Sequence, residues 1–109
     1  MTVYVDPLMN RGWLVRGSET ANCHLFTDEL DLSALHALAV KIGMKRAWFQ
    51  DKAKAPHYDL TPGLRLAALE AGAMELGRRE AVMVWRARRA SLGAKLRGDP
   101  QPPSTPRGR

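Results

Sequence analysis

Two stretches of the chain share one order of elements: an amphipathic helix, then a glycine, then a short apolar run. The first is a predicted helix over Asp28–Gly43 and a strand over Met44–Gln50. The second is a predicted helix from Thr61 to Gly72 and a strand over Ala73–Leu76. Apolar residues recur in both helices with the 3.6-residue period, and glycine suits the position just after a helix. Such alternation is typical of α/β folds with parallel pairing and right-handed crossovers.

The remaining segments add strands and one more helix to this frame. Thr2–Asp6 alternates β-branched and aromatic residues, which predicts a first strand. Trp13–Arg16 and Asn22–Phe26 flank residues 17–20, so a hairpin or a pair of strands is expected there. A last helix is predicted from Arg78 to about Ser91, anchored by Trp85. The predicted fold is a small α/β sandwich of four or five short strands, mixed and partly parallel, with three helices.

Composition excludes several classes of protein. With 109 residues, 45% of them hydrophobic and 26% charged, the chain fits one globular domain and not a wholly disordered protein. No run approaches the roughly 20 apolar residues that a membrane span requires, so no membrane is expected as a partner. The N-terminus lacks the features of a secretory signal. A single cysteine, Cys23, cannot form an internal disulfide and favours a cytoplasmic location.

The positive charge is concentrated at one end. The net charge is +6, yet residues 1–77 hold eight Lys or Arg against nine Asp or Glu, and residues 78–109 hold nine against two. We therefore divide the chain into an α/β body over 1–77, a basic helix over 78–97 packed on the body, and a Pro-rich disordered tail over 98–109. The basic segment is either an arm for an anionic partner or simply a solvated helix and tail. As a nucleic-acid site it would use Arg79, Arg86, Arg88 and Arg89.

The most informative polar segment leads into the second predicted helix. Side chains alternate along an extended segment, so His57 and Asp59 project to one side. Thr61 suits the N-cap, and the free amides of a first helical turn attract anions. Arg65 lies in that turn, where the dipole disfavours a cation unless a carboxylate or bound anion faces it. We expect an anion site with His57 and Asp59 catalytic and Thr61 and Arg65 binding. The alternative is an Asp59–Arg65 cap beside an ordinary loop histidine.

Three further residues are candidates for ligand binding: Asp6, His24 and Trp48. Asp6 ends the first strand, and ligands of open α/β sheets bind beyond the carboxyl ends of strands. His24 is expected on the face opposite Cys23, which we interpret as a small buried hydrophobe. Aspartate and histidine together could hold a divalent cation. No pair has an established metal-ligand spacing, however, so we assign no metal ligands and leave the cofactor unknown.

Four segments resemble a bacterial and phage family of unknown function, DUF4031. They are VYVDP, CHLFTD, LHALAVKIGMKRAWFQD and HYDLTPGLRLAALEAGA, which together span about residues 2–76. The Pro62-Gly63 pair and the basic C-terminal segment look like additions outside the resemblance. The resemblance implies no established activity.

The functional prediction therefore depends on residue chemistry. It is a small cytoplasmic protein that binds a phosphate-bearing or other anionic ligand at the His57–Asp59–Arg65 corner, with phosphoryl or phosphodiester chemistry as one outcome. Whether it is an enzyme stays open. The alternative is a non-enzymatic module that binds nucleic acid or protein through the basic C-terminal segment. A homo-oligomer also stays open.

Overall fold

The computed structural model describes residues 2–52 and 55–98 of the chain. Within these ranges the protein forms six β-strands, three α-helices and one short 3-10 helix. In chain order they are β1 (Val3–Val5), β2 (Leu14–Val15), β3 (Ser18–Glu19), β4 (Cys23–Thr27), α1 (Ser33–Lys41), the 3-10 helix (Arg46–Trp48), β5 (Tyr58–Leu60), α2 (Pro62–Glu70), β6 (Met74–Glu75) and α3 (Arg78–Arg97). The small α/β fold with three helices is confirmed.

Four strands form one mixed sheet in the order β5–β4–β1–β6. β1 is antiparallel to β4 and parallel to β6, while β4 is antiparallel to β5. β6 directly follows α2, so the second helix–glycine–strand unit supplies the parallel neighbour of β1. β2 and β3 pair only with each other, as a separate hairpin.

The two faces of the main sheet are covered by different helices, because successive residues of a strand point to opposite sides. We call them the α1–α2 face and the α3 face. On the α1–α2 face the buried core consists of Val3, Val5, Cys23, Leu25, Leu35, Ala39, Met44, Tyr58, Leu60, Ala68 and Ala73. On the α3 face a smaller cluster consists of Tyr4, Phe26 and Ala81, with Leu76, Val84 and Trp85 packed against it. The molecule therefore has three layers.

Local signals account for most helix ends. The Thr61 hydroxyl accepts a hydrogen bond from the third amide of α2 at 3.2 Å, which confirms it as the N-cap. Gly43 (φ +92°) and Gly72 (φ +109°) follow α1 and α2 in the left-handed region that favours glycine. α1 begins at Ser33 and not at Asp28. α3 runs beyond the apolar pattern that ends near Ser91 and reaches Arg97, the last residue assigned to the basic helix, because no proline interrupts it before the left-handed Gly98 (φ +77°).

Of the two options expected for Trp13–Arg16 and Asn22–Phe26, the hairpin is wrong, whereas both segments do contain a strand, β2 and β4. β2 instead pairs with Ser18–Glu19 through a tight turn in which Arg16 (φ +52°) and Gly17 (φ +80°) both have positive φ. Two-residue hairpin turns favour that geometry. β4 is buried on both sides and takes a central place between β1 and β5. Burial of this apolar strand outweighs pairing with its exposed sequence neighbour.

The predicted strand over Met44–Gln50 is also wrong, since the 3-10 helix occupies its centre. The Lys45 ammonium lies 5.5 Å from the centre of the Trp48 ring, and the Arg46 guanidinium lies 5.1 Å from that of Phe49. Both pairs have i,i+3 spacing, which brings side chains together in a 3-10 turn and not in a strand. Local cation–π contacts therefore favour the 3-10 turn over a strand in this segment.

Most of the predicted tail falls outside the described residues, which end at Gly98. Among the described helices, none combines the length and the apolar character needed to cross a membrane.

Candidate functional site

Three polar residues lie side by side across the α3 face of the sheet. His24 on β4 is paired in register with Asp59 on β5. Asp6 directly follows β1, which pairs with β4 on its other side. The main-chain nitrogen of Asp6 donates to the carbonyl of His24 at 3.3 Å. Three neighbouring strands therefore place Asp6, His24 and Asp59 in one row.

The Asp6 carboxylate orients His24. One carboxylate oxygen of Asp6 accepts a hydrogen bond from the main-chain nitrogen of His24 at 2.7 Å, and the other lies 2.7 Å from its Nδ1. An ionised carboxylate only accepts hydrogen bonds, so the proton of a neutral His24 is on Nδ1. Nε2 of His24 then carries the lone pair.

His57 is held by an equivalent arrangement. Its main chain exchanges two hydrogen bonds with Gln50, at 2.8 and 3.2 Å, which fixes the residue just before β5. Its Nδ1 lies 2.6 Å from the carbonyl oxygen of Ala55. A carbonyl accepts only, so Nδ1 is again the donor and Nε2 of a neutral ring carries the lone pair.

The two Nε2 atoms point toward the Asp59 carboxylate. The distance to Asp59 Oδ1 is 3.5 Å from His57 and 3.9 Å from His24. The rings lie edge to face with centres 4.7 Å apart, and one ligand atom from each of the three residues lies within 4.8 Å of the others. The side chains are 13% (His57), 25% (His24) and 27% (Asp59) exposed. We call these three residues the His–His–Asp cluster.

Asp59 is the anionic member of the cluster. The neighbouring His57 imidazole holds the pKa of Asp59 below its usual range, against the opposing effect of burial. The charge of Arg11, and those of His57 and His24 when these rings are protonated, add to this decrease. The arrangement therefore pairs a carboxylate with two imidazoles, the residue types used for proton transfer and for metal ligation.

α3 closes the space above the cluster. The Trp85 ring stacks on Phe26 with centres 4.4 Å apart, which confirms Trp85 as the anchor of α3. The same ring presents an edge-on contact to His24 at 6.4 Å and to His57 at 6.3 Å. A cavity of about 420 Å³ lies here, lined by His24, Ala55, His57, Val82, Trp85, Arg86 and Arg89. Two arginines of α3 therefore share a cavity with the two histidines of the body.

Arg65 and Thr61 lie elsewhere. Arg65 donates from Nε to the carbonyl of Asp6 at 3.0 Å and from Nη2 to Glu75 at 2.8 Å. Thr61 caps α2. Neither residue is among the described residues that line the cavity. The structure therefore brings His57, Asp59, His24 and Asp6 together, while Arg65 supports the end of β1 next to them.

Other sequence candidates are also separate from the cluster. Trp48 is 48% exposed and lies against Lys45. His36 lies on the opposite side of the sheet, with its Nδ1 2.8 Å from the Tyr58 hydroxyl; burial lowers its pKa, and the charge of the exposed Asp51 opposes that shift. Cys23 is fully buried on the α1–α2 face, as predicted. Burial, with the nearby Asp6 charge, raises the pKa of its thiol to about 12.

The four arginines proposed for nucleic acid differ in exposure. Arg79, Arg86 and Arg89 are exposed, whereas Arg88 is only 4% exposed and donates from Nε to the Glu29 carbonyl at 3.0 Å. Burial lowers the pKa of Arg88. Three of the four therefore face solvent, and one packs α3 against the segment after β4.

Sequence reasoning missed the grouping of the cluster and the part that α3 plays in it. Cys23–Leu25 and Tyr58–Leu60 each place one polar residue between two apolar ones, so pairing these segments side by side would have placed His24 beside Asp59. The register between them depends on contacts distant in sequence, which no local spacing reports.

The comparison with family models matches residues 3–88 to "Protein of unknown function (DUF4031)". The chain belongs to this family, as the resemblance predicted. The match extends beyond the predicted limit near residue 76 and includes Trp85 and Arg86 of α3. Neither the curated proteins nor the solved structures contain a match.

Proposed function

We propose that this member of DUF4031, a family whose description assigns no activity, binds a phosphate-bearing ligand between the His–His–Asp cluster and α3 and hydrolyses its phosphoester bond. The observation that carries the proposal is the shared cavity, in which His24 and His57 face Arg86 and Arg89. Imidazoles supply proton transfer, and guanidinium groups match the geometry of phosphate oxygens.

The charge of the cavity supports an anionic ligand. Arg86 and Arg89 are exposed, and within residues 2–52 and 55–98 neither forms an ion pair with a carboxylate. Arg65, the cation expected for this role, is already paired with Glu75. Arg86 and Arg89 therefore replace Arg65 as the proposed anion-binding residues, while His57 and Asp59 keep the proposed catalytic role.

The chemistry follows from the orientation of the imidazoles. Nε2 of neutral His57 accepts a proton from a water molecule, whose oxygen forms a bond to phosphorus as the ester bond breaks. The leaving oxygen takes up a proton from the surrounding water. Arg86 and Arg89 stabilise the negative charge on the phosphoryl oxygens as it develops, and Asp59 stabilises the imidazolium formed at His57.

Binding is tested by titrating inorganic phosphate into the full chain by calorimetry. Arg86→Gln and Arg89→Gln should each weaken binding at least about 10-fold, since a charge-assisted hydrogen bond contributes about 1.5–3 kcal/mol. Arg78→Gln, an exposed arginine of α3 outside the cavity lining, is the matched control. Equal losses in all three variants, or no binding by the wild type, would contradict the proposal.

Turnover is tested with bis-p-nitrophenyl phosphate. His57→Gln should abolish nitrophenolate release, while His36→Gln, which changes the histidine on the other face, should retain it. Release that is equal in the two variants would remove His57 from the mechanism.

The second candidate is polyanion binding along α3, favoured by the exposed arginines Arg79, Arg86 and Arg89. Contacts to a nucleic-acid backbone predict an affinity that falls steeply with salt. Arg79 discriminates between the candidates, because it does not line the cavity. Arg79→Gln should weaken binding of a single-stranded oligonucleotide only if this second candidate is right, and should leave phosphate binding unchanged.

A further inference from the structure

We propose that Nε2 of His24, Nε2 of His57 and the carboxylate of Asp59 form a binding site for a divalent transition-metal ion of the Zn²⁺ type. The inference goes beyond the phosphate cavity, since it concerns the space between the three side chains themselves. It is tested with the metal alone. A bound metal would occupy the Nε2 lone pair of His57, so the general-base role proposed above belongs to the metal-free chain.

The first argument is a mismatch of donors and acceptors. The Asp6 carboxylate accepts a hydrogen bond from Nδ1 of His24 at 2.7 Å, and the Ala55 carbonyl accepts one from Nδ1 of His57 at 2.6 Å. Both Nε2 atoms of the neutral rings then direct lone pairs at Asp59, which is itself only an acceptor when ionised. Three electron-pair donors facing one another repel unless a proton or a cation lies between them.

The second argument is distance. Charge-assisted N–H···O⁻ bonds are about 2.7–2.9 Å long, but the separations to Asp59 Oδ1 are 3.5 and 3.9 Å. A tetrahedral metal with ligand bonds of about 2.0–2.2 Å holds neighbouring ligand atoms about 3.3–3.6 Å apart. The cluster is therefore too open for a direct hydrogen bond of that kind. Binding a metal requires its ligand atoms, which are up to 4.8 Å apart, to approach one another by about 1 Å.

The third argument is the support around the cluster. Metal-binding histidines characteristically donate their other ring N–H to a carboxylate or a main-chain carbonyl. Here His24 uses Asp6 and His57 uses Ala55, one of each kind. His24 and Asp59 lie opposite each other on paired strands, and His57 is held by its main-chain pairing with Gln50. All three ligands are therefore positioned by backbone hydrogen bonding.

The donor set indicates the class of metal. Two imidazoles and one carboxylate suit zinc, iron, cobalt or nickel, whereas magnesium and calcium prefer ligand sets made entirely of oxygen. Three protein ligands leave a fourth tetrahedral position, as catalytic zinc sites do. Both imidazoles line the cavity, so that position is accessible to a water molecule or a ligand oxygen.

The test uses the full chain without an affinity tag, freed of metal with EDTA. Calorimetry with ZnCl₂ should give one site per chain, and CoCl₂ should produce the strong visible absorption of tetrahedral cobalt. MgCl₂ should give neither binding nor competition. Asp59→Asn and His57→Gln should abolish the cobalt absorption. Asp6→Asn, which changes a positioning residue, should weaken zinc binding about 10–100-fold and shift the cobalt spectrum.

Two matched controls accompany these variants. Asp31→Asn changes an exposed carboxylate that bonds to Ser33 at the start of α1, and His36→Gln changes the histidine on the opposite face. Both should bind zinc as the wild type does. If Asp59→Asn or His57→Gln fails to fold by circular dichroism, the wild-type cobalt spectrum and histidine nitrogen NMR decide.

Three outcomes would overturn the metal site: no zinc bound, binding retained in Asp59→Asn and His57→Gln, or cobalt absorption without tetrahedral character. Nε2 protons seen by NMR and unchanged by zinc would instead assign an imidazolium–carboxylate cluster. Phosphate binding is measured on the metal-free chain, so the metal site and the phosphate cavity can fail separately.

Discussion

The two faces of the main sheet are built from alternate residues of the same strands, yet they differ in chemistry. Cys23, Leu25 and Tyr58 on the α1–α2 face are fully buried. Their chain neighbours His24 and Asp59, on the α3 face, are part-exposed. His24 lines the cavity, and Asp59 lies beside it in the His–His–Asp cluster. The α1–α2 face carries most of the apolar core, while the α3 face combines a small aromatic cluster with the polar row. Along each strand, a residue that packs in the core is therefore followed directly by one that belongs to the candidate site.

The largest expected difference between the faces is chemical reactivity at two adjacent residues. Because burial raises the pKa of Cys23 to about 12, its thiolate is scarce at pH 8. Alkylation by iodoacetamide should be about 1000-fold slower in the folded chain than in the unfolded chain, where the thiol has its ordinary pKa near 8.5. His24 is accessible and should react with diethylpyrocarbonate. Rapid labelling of Cys23 in the native protein would contradict the difference between the faces.

The next largest effect should come from removing core volume. Leu25→Ala leaves a cavity at a fully buried position on the central strand β4. The free energy of unfolding should fall by about 2–5 kcal/mol, measured by urea denaturation. Leu66→Ala, at a position that is 63% exposed on α2, is the matched control and should change stability by less than about 0.5 kcal/mol.

A smaller loss is expected from the anchor on the α3 face. Trp85→Ala removes the stacking on Phe26 and part of the apolar contact between α3 and the sheet. The expected loss is about 2 kcal/mol, because Trp85 is only half-buried and its cluster is small. The cavity wall is lost as well, so phosphate binding should weaken in the same variant. A stability loss larger than that of Leu25→Ala would mean that the α3 face carries more of the core than its buried residues indicate.

The smallest expected effect is a pH dependence that arises from the α1–α2 side. Burial, helped by the nearby Arg46 charge, holds the pKa of His36 below its usual 6.5, while Asp51 opposes the shift. The unfolded chain then binds more protons than the folded chain below pH 6.5, so stability is full above that value and falls as pH decreases toward the folded pKa. Unfolding curves at pH 7.5 and 5.5 should show this loss. His36→Gln should lose that part of the dependence, and an unchanged dependence would assign it to other groups.

Local sequence signals predicted the helices well. The Thr61-Pro62 start of α2 and the glycines after α1 and α2 were recognised because capping depends on neighbouring residues alone. The 3-10 helix within Met44–Gln50 was predicted as a strand, because the apolar residues of this segment suit a strand equally well. The placement of His57 and Asp59 on one face, and of Cys23 and His24 on opposite faces, was predicted correctly because a strand has a period of two.

By itself, the sequence determined the class of fold, the start of α2, the C-terminal ends of α1 and α2, and which side chains share a face within one strand. Only the tertiary structure decided that β4 lies between β1 and β5, which brings His24 beside Asp59 and Asp6, and that α3 returns Arg86 and Arg89 to the same cavity. Capping and alternation depend on contacts a few residues apart, whereas strand order and register follow from the burial of apolar surface by segments distant in the chain. The sequence could therefore identify the individual residues of the site, but it could not predict that they lie close together in space.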